Sequence, residues 1–292
     1  MYPPPILIFC IVIFLIWVLF QIFGGKYALD IPGPRKSHQK AIPQIGGLIF
    51  GSFFLFIIWW FAIVPSWFII GGALSIIIGA VDDYYHVPWK IKLFFQVILV
   101  VFLSNHFWGR FDEIVFYSYA IHLSEPILFV VFLIWFVGIY NAVNLLDGLD
   151  SLAGGFMFIL CIGLTAINTS SNFFQLNYVL SIILLGYLVY NQRPAKIFMG
   201  DAGSLLLGFY VSTLPLLFMD LVEPNSTILN MEPFIILVSF LIADTSRVFF
   251  TRLLSGKNPM TADTIHLHHL IMQKSGSYLA TIAMVLSIGL IS

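Results

Sequence analysis

Four of the polar stretches in this otherwise apolar chain hold side chains suited to phosphate or to a divalent cation. "VDDYYHVPWK" sets Asp82 and Asp83 back to back at the end of a hydrophobic run. Adjacent carboxylates at a helix end repel each other and lose solvation unless a cation or hydrogen-bond donors compensate them. The plainer alternative is a solvated pair in which Asp83 caps a short turn before Pro88. In "NAVNLLDGLDS", Asn141, Asn144, Asp147 and Asp150 recur at every third position. On a helix that spacing makes a slowly turning ladder of the hard oxygen donors that magnesium or manganese prefers. Gly148 interrupts the helical reading, and Asp150 or Ser151 could instead cap the next helix, which would leave both asparagines unexplained. "FMGDAGS" places Asp201 between glycines at a helix start, where the backbone can approach a phosphate closely and the carboxylate can hold a cation or serve as a cap. "HLHH" supplies His266, His268 and His269. Zinc usually takes three or four well-spaced ligands and no thiol lies near, whereas imidazoles with Arg247, Arg252 and Lys257 upstream suit a diphosphate.

Arg193 and Lys196 in "NQRPAKIF" and Lys36 and His38 in "PRKSHQK" are further candidate contacts for an anionic substrate. Basic residues next to a membrane also serve as topology signals or bind anionic lipid, and that reading competes at Lys36 and His38. His86, His106 and His122 stand alone and read as structural.

The elements that carry these stretches follow from composition. Of 292 residues, 60% are hydrophobic and 9% charged, and the mean hydropathy is +0.99. Those values lie far outside the soluble globular range and indicate an integral membrane protein. Unbroken apolar runs point to helices and not to the alternating pattern of barrel strands. Approximate spans are 5–23, 46–64, 67–81, 93–106, 126–143, 152–168, 176–192, 202–219, 233–250 and 278–292, ten in all within one domain over residues 1–292. The last run holds only about 15 residues, either a short span or the start of a longer one. The first follows "MYPPP" without a basic region and reads as a retained helix. Cys10 and Cys161 sit in different apolar runs, so neither a disulfide framework nor a zinc cluster is expected.

With these spans, 12 of the 13 basic residues fall on one side and only Arg110 on the other. The positive-inside rule puts the basic loops in the cytoplasm and the N-terminus outside. All the polar stretches above lie on that basic side. The opposite loops, 65–66, 107–125, 169–175 and 220–232, read as connectors.

The order of the stretches carries more than any one of them. "RKSHQKAIPQIGG", "GAVDDYYHVPWKIKLFFQ", "NAVNLLDGLDSLAGG", "FMGDAGSLLLGF" and "ADTSRVFFTRLLSGKNPMTADTIHLHHL" together resemble the polyprenyl-phosphate N-acetylhexosamine-1-phosphate transferase family from about residue 30 to residue 272. Asp263, His266, His268 and His269 resemble the branch that uses UDP-N-acetylglucosamine (UDP-GlcNAc) more than the phospho-MurNAc-pentapeptide translocase branch. Thr264 departs from that branch's usual arginine, and Ser151 replaces the usual glycine of "DGLDGLA".

The resemblance implies an all-α polytopic membrane fold of about ten helices with a cytoplasmic active-site cleft, a homodimer in the bacterial inner membrane, and no nucleic-acid partner. It implies transfer of a sugar 1-phosphate from a UDP-activated amino sugar to undecaprenyl phosphate, with release of UMP, as the first membrane step of a teichoic acid or O-antigen (lipopolysaccharide) type of glycan. Asn144 and Asp201 are then the expected ligands of magnesium, or of manganese in its place. Asp82 is expected to orient or deprotonate the lipid phosphate with support from Asp83, while Asp147 and Asp150 organise the metal or nucleotide region. The histidine loop is expected to grip the UDP diphosphate, with Asn141, Arg193, Lys196, Arg247, Lys36 and His38 as further substrate contacts. Two other classes compete on residues alone. A cation-coupled transporter would place ionisable groups mid-span and show an internal repeat, and an intramembrane aspartyl protease would leave the asparagines and histidines unused.

Overall fold

The computed structural model describes residues 3–23, 26–32, 39–111, 113–116, 119–167, 171–256 and 265–291. Its helices follow the apolar runs: α1 (Pro5–Phe23), α2 (Gly46–Trp60), α3 (Ser66–Tyr85), α4 (Trp89–Phe107), α5 (Glu125–Leu146), α6 (Leu152–Ile167), α7 (Ser171–Asn191) and α8 (Gly200–Leu221). The run expected over 233–250 is broken at Val238 into α9 (Glu232–Leu237) and α10 (Ser239–Leu254), and it is followed by α11 (Leu267–Ser275) and α12 (Tyr278–Ile291). Among the described residues, six helices are long and apolar enough to cross a membrane, and three shorter apolar ones lie at 46–60, 152–166 and 278–287.

The bundle is built around α8. Its membrane-length window is 94% buried, against 17% for α1, because α2, α3, α5 and α7 pack around it. α1 and α6 pack on α7, α4 on α5, and α12 on α6. A helix surrounded in this way buries side chains on every face: from Leu205 to Leu217 every residue of α8 is buried, and Ser212 and Thr213 give their hydroxyls to the Phe209 carbonyl.

The start of α8 is also where backbones come closest. A Cβ on Gly79 of α3 would lie 2.4 Å from the Asp201 carbonyl oxygen, so only hydrogen fits there. On the other side, the first amides of α2 have no partner within their own helix. Gly46 and Gly47 donate theirs to the carbonyls of Phe198 and Met199, both at 2.9 Å, in the segment leading into α8.

Two loops taken from the sequence as plain connectors are structured, which amends the all-α expectation. β3 (Glu113–Phe116) pairs antiparallel with β4 (Tyr119–His122) and parallel with β5 (Ile228–Asn230), so segments 107–125 and 220–232 meet in one small sheet. A two-residue pair, β1 (Leu29–Asp30) with β2 (Ile42–Pro43), brackets the loop before α2. At the sheet end, Asp220 near the C-terminus of α8 accepts from Trp67 Nε1 at 2.8 Å and pairs with Arg110. Asp201 and Asp220 are 19 residues apart on a helix rising about 1.5 Å per residue, so roughly 28 Å separates them. Arg110 therefore sits at the opposite end of the bundle from the acidic stretches, as the sorting of charge along the sequence requires.

Replacing Gly79 by alanine is expected to force α3 away from α8 and lower stability by about 1–3 kcal/mol. Gly138→Ala is the control, since a Cβ there meets nothing within 4 Å. Thermal unfolding in detergent measures both, and equal unfolding temperatures would contradict the close contact.

Candidate active site

Asp82 and Asp83 lie in the last turn of α3 and are both buried. Successive helical residues point about 100° apart, so the two carboxylates face different partners. Asp82 closes its own helix end. Its carbonyl accepts from the amide of His86, which adopts a left-handed φ of 54°, and its Oδ1 accepts from the amide of Val87 at 2.5 Å. Pro88 then starts α4, and Lys92, one turn in, reaches back with Nζ to Asp82 Oδ2 at 2.6 Å. Asp83 instead crosses to α8. Its Oδ1 accepts from the Asp201 amide at 2.6 Å and its Oδ2 from the Ala202 amide at 3.1 Å, so it caps the central helix from outside. The turn-capping role that the sequence offered to Asp83 thus belongs to Asp82. Gly200, at φ +66°, is the residue that lets the carboxylate in, since a Cβ there would sit 2.5 Å from Asp83 Oδ2.

Asp201, in the first turn of α8, gathers the rest. Its Oδ2 lies 3.2 Å from Lys92 Nζ, and its Oδ1 accepts from Asn144 Nδ2 at 3.1 Å. The same Asn144 nitrogen lies 2.7 Å from Ser204 Oγ. Asp82, Lys92, Asp201 and Asn144 therefore form one chain of hydrogen bonds across α3, α4, α8 and α5. Its ammonium sits between two carboxylates, the position a cation must take for both acids to stay ionised.

The asparagine–aspartate ladder is only half helical. α5 ends at Leu146, and Asp147 is its C-terminal cap residue. Burial, together with the carboxylates of Asp201, Asp83, Asp150 and Asp30, pushes Asp147 up to about 8, so it holds its proton at neutral pH. Asp150 Oδ2 accepts from the Ala195 amide at 3.2 Å, and its carbonyl takes the Tyr278 hydroxyl. Asn141, one turn before Asn144, forms a reciprocal amide pair with Gln96 at 2.8 and 3.1 Å and so ties α5 to α4. Ser151 does not act as a conventional N-cap. Its φ is +62°, its amide donates to Asn191 Oδ1 at 2.8 Å, and its hydroxyl lies 3.3 Å from the Asn191 carbonyl. The left-handed backbone explains why a glycine would suit this position.

The histidine loop meets the ladder at Gly148, where any side chain would strike His268 Nε2. His266 and His268 are buried, their rings lie 14° from parallel, and the His269 ring is 4.1 Å from that of His268. Burial, reinforced by His269 and His266, pushes His268 down to about 3, so of the two ways in which an imidazole can meet a diphosphate, hydrogen bonding and charge pairing, this ring offers the first. His266 Nδ1 lies 2.9 Å from Asp244 Oδ2, and Arg247 Nη2 donates to Asp244 Oδ1 at 2.7 Å. Arg193 stacks its guanidinium 4.1 Å over the Tyr278 ring, and Lys196 is exposed beside it in sequence. Lys36 and His38 lie outside the described residues.

Among the described residues, no group of three or more His, Cys, Asp or Glu side chains is placed to hold a metal ion by itself. Magnesium does not require such a cage, because it binds through one or two carboxylates and completes its shell with water and phosphate. The carboxylates of Asp201 and Asp82, already arranged around the Lys92 ammonium, fit that mode of binding, and Asn144, whose amide nitrogen meets Asp201, has an oxygen to offer beside them.

Two residues in this network escaped the sequence reading. Along the sequence Lys92 is one of the 12 basic residues that mark the cytoplasmic side, and nothing there ties it to Asp82, ten positions before it across a Pro88 turn. Asp244 precedes Arg247 by three, a helical pairing distance, inside a run taken as a span.

The family model of glycosyl transferase family 4 matches residues 65–219, the stretch from α3 to α8 that contains Asp82, Asp83, Lys92, Asn144 and Asp201. This chain belongs to that family. The family-4 chain is 32% identical over 279 residues to a probable undecaprenyl-phosphate N-acetylglucosaminyl 1-phosphate transferase of Bacillus subtilis, an alignment covering 90% of this chain and 75% of the relative. An undecaprenyl-phosphate alpha-N-acetylglucosaminyl 1-phosphate transferase of Thermotoga maritima is 31% identical, covering 92% and 81%. A phospho-N-acetylmuramoyl-pentapeptide-transferase of Petrotoga mobilis is also 31% identical, over a shorter 72% of this chain and 71% of its own.

Holding serine in the left-handed region costs roughly 1–2 kcal/mol. Ser151→Gly is expected to be neutral or stabilising, and Ser151→Val, β-branched, to lose about 2 kcal/mol or more. Unfolding temperatures that do not separate the two variants would remove the strain at this position.

Proposed function

We propose that this chain transfers N-acetylglucosamine 1-phosphate from UDP-GlcNAc to undecaprenyl phosphate, releasing UMP and forming undecaprenyl-diphosphate-N-acetylglucosamine. The observation that carries the reading is the chain of contacts from Asp82 through Lys92 to Asp201 and Asn144 at one end of a buried helix. The names of the Bacillus and Thermotoga relatives support the substrates. The bundle, read as about ten membrane-crossing helices with the N-terminus outside, opens this end as a cleft on the cytoplasmic face of a bacterial inner membrane. There it serves the first membrane step of a teichoic acid or O-antigen type of glycan, and the enzyme works as a homodimer.

Two anionic phosphates must meet for this chemistry, and positioning with charge neutralisation does most of the catalytic work. Asp201 and Asn144 would hold magnesium, or manganese in its place, which when bound would supply Lewis-acid charge neutralisation. Lys92 carries a second positive charge between the two carboxylates, within reach of an incoming phosphate. A lipid phosphate is largely dianionic near neutral pH, its second pKa being about 6, so it attacks the sugar-bearing phosphorus directly. The P–O bond to UMP breaks as the new one forms, with no aspartyl-phosphate intermediate. Asp82 orients the attacking phosphate through Lys92, and Asp83 keeps the mouth of α8 in register. Asp147 and Asp150 shape the loop against which the histidines rest, and the histidine loop holds the donor's diphosphate. Arg193, Lys196 and Arg247 add positive charge on the approach.

The second reading, use of UDP-MurNAc-pentapeptide, is favoured by the Petrotoga relative. A transfer assay with undecaprenyl phosphate, magnesium and each donor in parallel, reading UMP and the mass of the lipid product, separates the two. Product from UDP-GlcNAc alone is expected, and product only from the other donor would overturn the sugar assignment. EDTA should stop turnover and magnesium restore it. Asp201→Asn should lower kcat by at least about 100-fold in a folded protein, and near-normal turnover in that variant would remove Asp201 from the site.

A further inference from the structure

We propose that Asp244 is a positioning residue that sets the protonation of His266, so that the histidine loop takes up a diphosphate only with His266 as a cation. This rests on the reading above that the loop holds the donor's diphosphate.

The argument is a count of donors and acceptors. Asp244 lies on α10, and His266 is the cap residue from which α11 starts. Asp244 Oδ1 accepts from the Leu267 amide at 3.0 Å and from Arg247 Nη2 at 2.7 Å, while Oδ2 faces His266 Nδ1 at 2.9 Å. A carboxylate only accepts, so Nδ1 carries a hydrogen. In the neutral ring Nε2 is then bare, and it is buried with no hydrogen-bond partner among the described residues. A diphosphate oxygen also only accepts. The neutral ring would therefore oppose lone pair to lone pair, and only the imidazolium can donate from Nε2 while keeping its bond to Asp244.

The surroundings decide which charge wins. From α10, Asp244 favours the cation and Arg247 opposes it, but the guanidinium is turned away to Asp244 Oδ1 and to the Ile265 carbonyl at 2.6 Å. From α11 come His268, which is neutral, and His269, whose ring lies against that of His268. The α5 residues lining the small cavity beside the ring, Ala142, Leu145 and Leu146, are apolar. Asp244 is thus the nearest compensating charge, and it also fastens the start of α11, so one carboxylate both places the ring and charges it.

The test is the pH dependence of kcat and of KM for UDP-GlcNAc from about pH 6 to about pH 9, bracketing the histidine range. The donor's diphosphate has no ionisation in that range, so a rise in its KM towards alkaline pH reports on the protein. Wild type is expected to show that rise with a smaller change in kcat. In Asp244→Asn the side-chain oxygen stays with Leu267 and Arg247, so the amide NH2 turns to His266. Nδ1 must then accept, which leaves Nε2–H on a neutral ring. The donor KM is expected to be roughly tenfold higher near pH 6, the loss of about one charged hydrogen bond, and no longer to rise with pH. A profile parallel to wild type would overturn the proposal, whatever the change in unfolding temperature. Arg247→Gln is the second variant: losing the opposing charge moves the rise to higher pH, and an unmoved rise counts against the proposal. His266→Gln with an unchanged donor KM would instead remove the loop from the donor site. A raised KM in that variant beside an Asp244→Asn profile parallel to wild type would defeat only the role of Asp244.

Discussion

A helix buried along its length leaves its first amides with nothing of its own to bond, and in a bilayer no water makes up the difference. For α8 that demand is met by Asp83, whose two oxygens take the amides of Asp201 and Ala202. Much of the local architecture is a condition of this one cap. Gly79 must lack a side chain so that α3 can lie close enough, and Gly200 must lack one so that the carboxylate can enter. α2 must begin where Phe198 and Met199 offer their carbonyls. The cap therefore fixes the axial position of α3 against α8, and with it the height at which Asp82 and Asp201 face each other.

Bringing those acids together creates the charge problem that the site then uses. Asp82 and Asp201 share the Lys92 ammonium, and Asp147 nearby keeps its proton. An excess of carboxylate over cation at this end of the bundle is what the proposed reaction would draw on, since it favours a divalent cation that can in turn take phosphate. The same helix ends that satisfy backbone groups thus carry the side chains on which the proposed transfer relies. The far end of α8 shows the contrast, since Asp220 is matched there by Arg110 and Trp67 in a closed arrangement that ties the small sheet to the bundle.

The histidine loop illustrates a different form of dependence. His268 touches the chain at Gly148, and His266 is set by Asp244 on another helix. Neither contact can be inferred from "HLHH", because the ionisation and donor pattern of an imidazole belong to its neighbours and not to its spacing. Spacing leaves hydrogen bonding and charge pairing both open for a phosphate, whereas burial makes the His268 ring neutral and a carboxylate holds Nδ1 of His266.

What the sequence determined by itself is whatever depends on local composition and on order. Hydropathy alone placed nearly every helix, because a membrane leaves a long apolar run few alternatives. The sorting of basic residues placed Arg110 apart from the rest, and the order of five polar stretches identified the family. The tertiary structure decided which carboxylate does what. Asp82 and Asp83 are indistinguishable as letters, yet the angle between successive helical side chains sends one to the turn and Lys92 and the other to α8. Asn141 and Asn144 looked like equal rungs until Gln96 took the first and Asp201 the second. The strands at 113–122 and 228–230, the break at Val238 and the left-handed Ser151 are likewise products of packing between distant segments. Pairings across 100 residues or more, such as Asp83 with Asp201, leave no periodic trace along the chain, since they depend on how helices stand side by side.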